Sequence, residues 1–235
     1  MNLIILLQQD FTDDSHVTLT DKRFEHIRKV HQSSVGDRVK LGRLNGMMGS
    51  GIITAINDHK VDIEVELNQA PPKKLPLKVI LALPRPKMIR RIFRSIAELG
   101  IEELIVINSY KVEKSFWNSP ALTDEKVEGY LIAGLQQAKD TVLPKVSFQR
   151  LFKPFVEDEL AAIAQGSRGI IAHPATGKPC PHAINERAVL AIGPEGGFTE
   201  YEVNKFIDAG FEGIHLGDRI LRVENALAAI TSKLY

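Results

Sequence analysis

Cysteine is almost absent from this chain of 235 residues. Its one cysteine, Cys180, leaves no internal disulfide framework and no Cys/His spacing of the zinc type, so no metal is expected. A lone cysteine is ordinarily a packed side chain, and Cys180 is read that way. No apolar run approaches the ~20 residues that a membrane span needs. The opening MNLIILLQQDF is apolar but has no basic n-region and no small-residue cleavage site, so it reads as a strand rather than a secretory signal. The expectation is a cytoplasmic protein without a membrane partner. Internal repeats and low-complexity tracts are missing as well. So are the Gly-Lys-Ser/Thr ending of a P-loop and the G-x-G-x-x-G of a Rossmann site, which disfavours both ligand classes.

Net charge is also scarce, at +1, but it is unevenly spread. Residues 1–72 are slightly acidic, and so is the chain after residue 100. Between them lie Lys73, Lys74, Lys78, Arg85, Lys87, Arg90, Arg91 and Arg94, with Glu98 the only acid before Gly100. The spacing predicts a helix from Lys87 to Leu99 with Ile89, Ile92, Phe93 and Ile96 on one face. Lys87, Arg90, Arg91 and Arg94 fall opposite. Such a row is ordinarily a solvated helix face. Extended by its flanking lysines and Arg85, it reads here as a footprint for a polyanion.

The first 70 residues carry the grammar of a small all-β unit. Two strand-like runs surround Asn45-Gly46, a hairpin signal, and Val61, Ile63, Val65 and Leu67 alternate with polar neighbours. One short helix is expected around Lys22 to His31. NQAPPKKLP then reads as a linker. Beyond it, strands alternate with helices: LKVILAL, IEELIVIN, RGIIAH, AVLAIG and GIHLG as strands, and 123–139, FVEDELAAIAQ, a segment from Glu200 and VENALAAITSKL as helices. That order implies an α/β domain built on a parallel sheet covered on both faces. The division is 1–72 and 73–235.

Two strand-to-helix loops carry the chemical signal. In GPEGGFTEYE, Thr199 and Glu202 make a capping box, so a helix dipole points back into a loop containing Gly193, Gly196 and Gly197. In LGDRILRVENA, Asp218, Arg219, Arg222 and Glu224 crowd beside Gly217. Either loop alone would be a tight turn. Two of them at the carboxyl ends of strands point to a ligand site. A third loop, AHPATGKP, leaves a strand at His173, which reads equally as a packed residue turned by Pro174 or as a chemical group.

Taken together, MNLIILLQQDF, LNG, LALPRPKMIRRIFRSIAELGI, KVEKSFW, GPEGGFTEYE and LGDRILRVENA resemble the ribosomal RNA small subunit methyltransferase E family, 16S rRNA uracil-N3 methyltransferases of the SPOUT class. The resemblance spans the chain. It implies a PUA-like RNA-binding barrel at 1–72, a SPOUT domain with a trefoil knot at 73–235, S-adenosyl-L-methionine as cofactor, the small ribosomal subunit as partner and a homodimer. By position, the cofactor residues are His173, Pro174 and Gly177; Ile192, Gly193, Pro194, Glu195, Gly196 and Gly197; and Leu216, Gly217, Ile220 and Leu221. The chain departs from the family in two places. Arg222-Val223-Glu224-Asn225-Ala226 stands where R-T-E-T-A is common, and Gln136-Gln137-Ala138-Lys139-Asp140 stands where E-Q-x-x-R is common.

The chemistry expected of such a site is loss of the uracil N3 proton and stabilisation of the anion by a cation. Arg222 is the leading candidate and Arg219 the second, while Glu224 orients the arginine, the favoured role, or accepts the proton. Arg85, Lys87, Arg90, Arg91 and Arg94 are the expected RNA contacts. Two alternatives accompany this reading: a SPOUT methyltransferase acting at another RNA position, and a non-catalytic RNA-binding assembly factor.

Overall fold

The computed structural model describes residues 2–29, 32–174 and 178–235. The chain forms two compact units, 1–73 with 132–143, and 74–131 with 144–235.

The first unit is one curled five-stranded sheet with a helix. Strands β1 (Ile4–Leu6), β2 (His16–Leu19), β3 (Arg38–Arg43), β4 (Met48–Ile56) and β5 (Val61–Gln69) pair in the order β1-β3-β4-β5-β2. Only the β1–β3 pair is parallel. Period-two alternation puts Val61, Ile63 and Val65 inside, beside Ile4, Leu6, Leu41 and Ile53. Helix α1 (Lys22–Lys29) adds Phe24 and Ile27 to that core. Register shifts between Met48 and Gly49 and between Ile53 and Ala55 break the β4–β5 ladder, and such bulges bend and twist a sheet. The expected Asn45-Gly46 turn is present. Gly46 N donates to Arg43 O at 2.8 Å, and Asn45 takes the positive φ of 57°.

One ion cluster, buried at Asp10 and open to water at Asp21, ties this unit's start together. Arg23 donates to both carboxylate oxygens of Asp10, at 2.5 and 2.8 Å, to Asp21 at 2.7 Å and to Ile5 O at 2.7 Å. Burial alone would raise the Asp21 carboxyl, but the hydrogen bonds and charge of Arg23 outweigh it and hold Asp21 below the usual carboxylate range. Gln136 O accepts from the backbone N–H groups of Asn2 and Leu3, and the Asp140 carboxylate accepts from Thr141 N and Val142 N. In this chain, therefore, segment 136–140 has a structural use.

The second unit is a seven-stranded parallel sheet. Its strands are β6 (Leu75–Ala82), β7 (Ile101–Ile107), β8 (Lys145–Gln149), β9 (Arg168–Ala172), β10 (Lys178–Pro179), β11 (Ala188–Ile192) and β12 (Glu212–His215), in the order β10-β12-β9-β11-β6-β7-β8. The helices are α2 (Pro86–Glu98), α3 (Asp124–Ala138), α4 (Phe152–Pro154), α5 (Leu160–Ala164), α6 (Glu200–Asp208) and α7 (Val223–Leu234). From residue 132 on, α3 belongs to the first unit. Central β11, paired with β6 and β9, is buried at every position, as its unbroken apolar run demands. Phe206 of α6 centres an aromatic cluster, its ring 5.4 Å from Phe198 and 5.3 Å from Phe211. Among the described residues no helix is long and apolar enough to cross a membrane.

The expected helix FVEDELAAIAQ lies within one unbroken helical run, 152–164, whose middle winds as a π turn at Phe155–Glu159. Strand β8, at the sheet's edge, is only half-buried and gives no apolar run to read.

Replacing Arg23 by methionine strands the buried Asp10 carboxylate, and unit 1 should lose about 3–5 kcal/mol at neutral pH. Because the Asp21 value is lowered by folding, its share of stability is present above the ordinary aspartate pKa of ~3.9 and is lost as pH falls through the lowered value. The gap between wild type and Arg23→Met should therefore narrow below pH ~4. Amide exchange of β1 and β2 as a function of pH measures both effects.

Candidate functional site

Parallel strands bring their carboxyl ends to one edge, and there the second unit opens a cleft of about 320 Å³. Loops leaving β9, β11 and β12 form it, closed on one side by α7 and on another by Lys111 from the segment after β7. His173 and Pro174 line it from the first loop; Gly177 lies outside the described residues. The second loop contributes Ile192, Gly193, Pro194, Glu195, Gly196 and Gly197, and the third contributes Leu216, Gly217, Arg219, Ile220 and Leu221.

The glycine-rich loop after β11 is tightly determined. Gly197 N donates to Pro194 O at 2.8 Å, closing a turn in which Gly197 has φ +70°. A Cβ on Gly193 would stand 2.8 Å from the Phe198 backbone nitrogen, so only glycine lets the chain fold back this closely. The expected capping box is formed, with Glu202 N donating to Thr199 Oγ1 at 3.3 Å and Thr199 N donating to Glu202 Oε2 at 2.8 Å.

Glu202 does more than cap. It is buried, and its other oxygen accepts from Tyr110 N at 2.8 Å, which joins the glycine loop to the segment after β7. Two further bonds tie the loop, the first repeating that joint and the second reaching the segment after β6. Lys111 Nζ donates to Gly196 O at 2.7 Å, and Arg85 N donates to Glu195 Oε1 at 3.1 Å. In the third loop, Gly217 N donates to His215 Nδ1 at 3.0 Å, which places the proton of the neutral ring on Nε2.

Arg222 and Glu224 stand at the start of α7 rather than on the cleft wall. Arg222 is the exposed residue preceding that helix and places no side-chain cap on it. Glu224 lies in its first turn, with Oε2 buried and without a hydrogen-bond partner among the described residues. Residues not anticipated from the sequence also line the cleft: Lys111, Phe198, His215, Val223, Ala226 and Ile230. Val223, Ala226 and Ile230 carried a readable signal, since their i, i+3, i+7 spacing makes one stripe of α7. Lys111 opens the KVEKSFW segment, but its bond to Gly196 joins positions 85 residues apart, which no local pattern shows.

Helix α2 is amphipathic as expected. Ile89, Ile92, Phe93 and Ile96 are buried, and Lys87, Arg90, Arg91 and Arg94 are exposed. Among the described residues these four and Arg85 enter no ion pair; the Arg94 guanidinium sits 5.5 Å over the Tyr130 ring. Lys78 leaves the group, because its ammonium pairs with Glu103 at 3.4 Å. No cluster of three or more metal-ligating side chains occurs among the described residues.

Comparison with known proteins gives a consistent result. A family model described as an RNA methyltransferase domain matches residues 71–235. The ribosomal RNA small subunit methyltransferase E of Treponema pallidum is 31% identical over 235 residues, covering 97% of this chain and 88% of that protein. Ribosomal RNA small subunit methyltransferase E 1 of Borreliella burgdorferi is 29% identical, covering 97% and 95%. Among solved structures, a ribosomal RNA small subunit methyltransferase E from Neisseria gonorrhoeae, crystallised with S-adenosyl methionine, superposes with a TM-score of 0.75. It has 20% sequence identity and covers 99% of this chain and 96% of that one.

Substituting Glu202 by glutamine replaces a three-donor acceptor with a group that must turn an N–H toward Tyr110 or Thr199. The expected cost is about 1.5–3 kcal/mol, the range for hydrogen bonds to a charged group. Amide exchange at Tyr110 and Thr199 should quicken, while exchange in the first unit should stay as in the wild type.

Proposed function

We infer the chemistry from a plain premise: this chain belongs to the ribosomal RNA small subunit methyltransferase E family. It is a methyltransferase that uses S-adenosyl-L-methionine to methylate 16S ribosomal RNA, and the atom we assign as acceptor is N3 of a uracil. The observation that carries this reading is the cleft itself, where three strand-end loops, one of them rich in glycine, meet over one apolar wall.

The residues present fit that cofactor. Backbone amides and carbonyls of Gly193–Gly197 and of Leu216–Leu221 offer polar edges without bulk, and Ile192, Leu216, Ile220 and Leu221 offer apolar contact. A cleft of about 320 Å³ lies at the lower end of the usual range for small-molecule sites. His173, Pro174 and Gly177 complete the proposed contact set. When bound, the sulfonium supplies a methyl carbon open to direct attack, so the protein's main tasks are orientation and charge.

Uracil N3 holds a proton at neutral pH and is a poor nucleophile until it is lost. Arg222, with Arg219 beside it in sequence, stabilises the developing anion at the uracil carbonyls. Glu224 orients Arg222 or takes up the N3 proton as the methyl carbon is attacked. Its buried, unpartnered Oε2 supports a role beyond packing, since a structural carboxylate normally has its oxygens satisfied. The target base is unpaired or extruded, because N3 is sealed in a duplex.

The remaining parts follow the same reading. The first unit is a PUA-like RNA-binding barrel, and Arg85, Lys87, Arg90, Arg91 and Arg94 hold RNA phosphates. The second unit is a SPOUT domain with its chain threaded in a trefoil knot, and two copies pair as a homodimer in the cytoplasm.

Arg222→Ala should lower methyl transfer to 16S rRNA by roughly 10²–10³-fold, the range for losing one oxyanion donor, while calorimetric affinity for S-adenosyl-L-methionine stays within about twofold. Turnover at the wild-type rate would remove Arg222 from the mechanism. Reversing Arg90 and Arg94 together to glutamate should weaken RNA binding and flatten its dependence on log salt by about 0.7–0.9 per lost phosphate contact. An unchanged slope would place the RNA elsewhere.

A further inference from the structure

Two of the large hydrophobic side chains most open to water stand at the cleft. Tyr110 and Ile220 are the most exposed of those in the described chain, at 85% and 83%, and both stand on segments that border it. Ile220 lines the cleft directly, and Tyr110 immediately precedes Lys111, which does.

Tyr110 differs from an ordinary exposed residue in how it is held. Its backbone N–H is fixed by the buried Glu202 carboxylate at 2.8 Å, and Val112 N donates to Ser109 O at 3.0 Å, closing a turn around it. The next residue is anchored too, through Lys111 Nζ on Gly196 O. A rigid backbone therefore presents a freely solvated ring. Pre-set geometry with an unsatisfied apolar face is what a stacking platform requires, since little ordering remains to be done on binding. The charge around it suits one class of occupant: Lys111 follows it in the chain, and Arg85, without an ion pair among the described residues, precedes the helix that carries the basic face.

We propose that Tyr110 is a nucleotide-positioning residue, its ring stacking on an unpaired base of the RNA at the mouth of the cleft. This rests on the reading of the chain as an rRNA methyltransferase. Aromatic stacking is indifferent to sequence, so Tyr110 holds the base in place while other groups recognise its edge.

The test compares Tyr110→Ala, Tyr110→Phe and, as a control away from the cleft, Leu151→Ala, whose side chain is 68% exposed. Methyl transfer to 16S rRNA, direct RNA binding by fluorescence anisotropy, calorimetric affinity for S-adenosyl-L-methionine and sedimentation are measured for each. Tyr110→Ala should raise KM and Kd for RNA by roughly 5–150-fold, the span of one base–aromatic stack, with cofactor affinity and sedimentation unchanged. Tyr110→Phe should restore most of that loss, and Leu151→Ala should match the wild type. Wild-type KM in Tyr110→Ala overturns the proposal. So does a phenylalanine variant as impaired as the alanine one, or a shift in sedimentation, which would make Tyr110 a contact between copies. If the wild-type protein itself transfers no methyl group to rRNA, the functional reading fails instead.

Discussion

The cleft depends on one buried carboxylate. Glu202 gives up hydration, a cost of several kcal/mol for an isolated ion, and recovers it through the backbone N–H groups of Thr199 and Tyr110 and the Thr199 hydroxyl. It also sits in the first turn of α6, where the helix dipole favours a negative charge. Those bonds join two segments that the sheet delivers to the same edge but would otherwise leave independent. Once they are joined, Lys111 can reach Gly196 and Arg85 can reach Glu195, and the glycine loop has a single shape. Glycine makes that shape sterically possible. Glu202 makes it the one adopted.

Legibility in the sequence followed the range of the forces involved. The capping box and the span of α7 were readable because both depend on neighbours three or four residues apart. So was buried β11, whose AVLAI has no polar position to mislead. Edge strand β8 escaped because half-burial leaves no periodic signal, and the π turn at Phe155–Glu159 escaped because a single wide turn inside a helix is too short to set a period of its own. Lys78 looked like part of the basic stripe, but pairing with Glu103 across β6 and β7 neutralises it. In the site, the glycines could be read and their partners could not. Tyr110, Lys111 and Arg85 act on the loop from 85 to 110 residues away, a relation that only the sheet order creates.

Charge is divided as sharply as structure. A total of +1 conceals a helix whose exposed cations have no acidic partner among the described residues, while Arg23, Arg168 and Lys205 are paired. Paired cations hold the fold; their hydrogen-bonded partners keep Arg168 and Lys205 charged above their ordinary range. Cations on α2 have no acid to offset their mutual repulsion, although Arg94 gains the Tyr130 ring, and the RNA contact we propose there supplies the missing counter-charge.

Comparison of Glu202 with Glu224 separates structure from chemistry. Each lies in the first turn of the helix that follows a cleft loop, so each has the same favourable dipole. Glu202 has every donor it needs and no reason to move. Glu224 has a buried Oε2 with none among the described residues, although exposed Arg222 lies only two positions before it. A carboxylate needed only for folding would be expected to take the satisfied arrangement, as Glu202 has done. Glu224 instead keeps an acceptor to spare in the first turn of the helix that follows the third cleft loop, the position from which we propose that it serves Arg222.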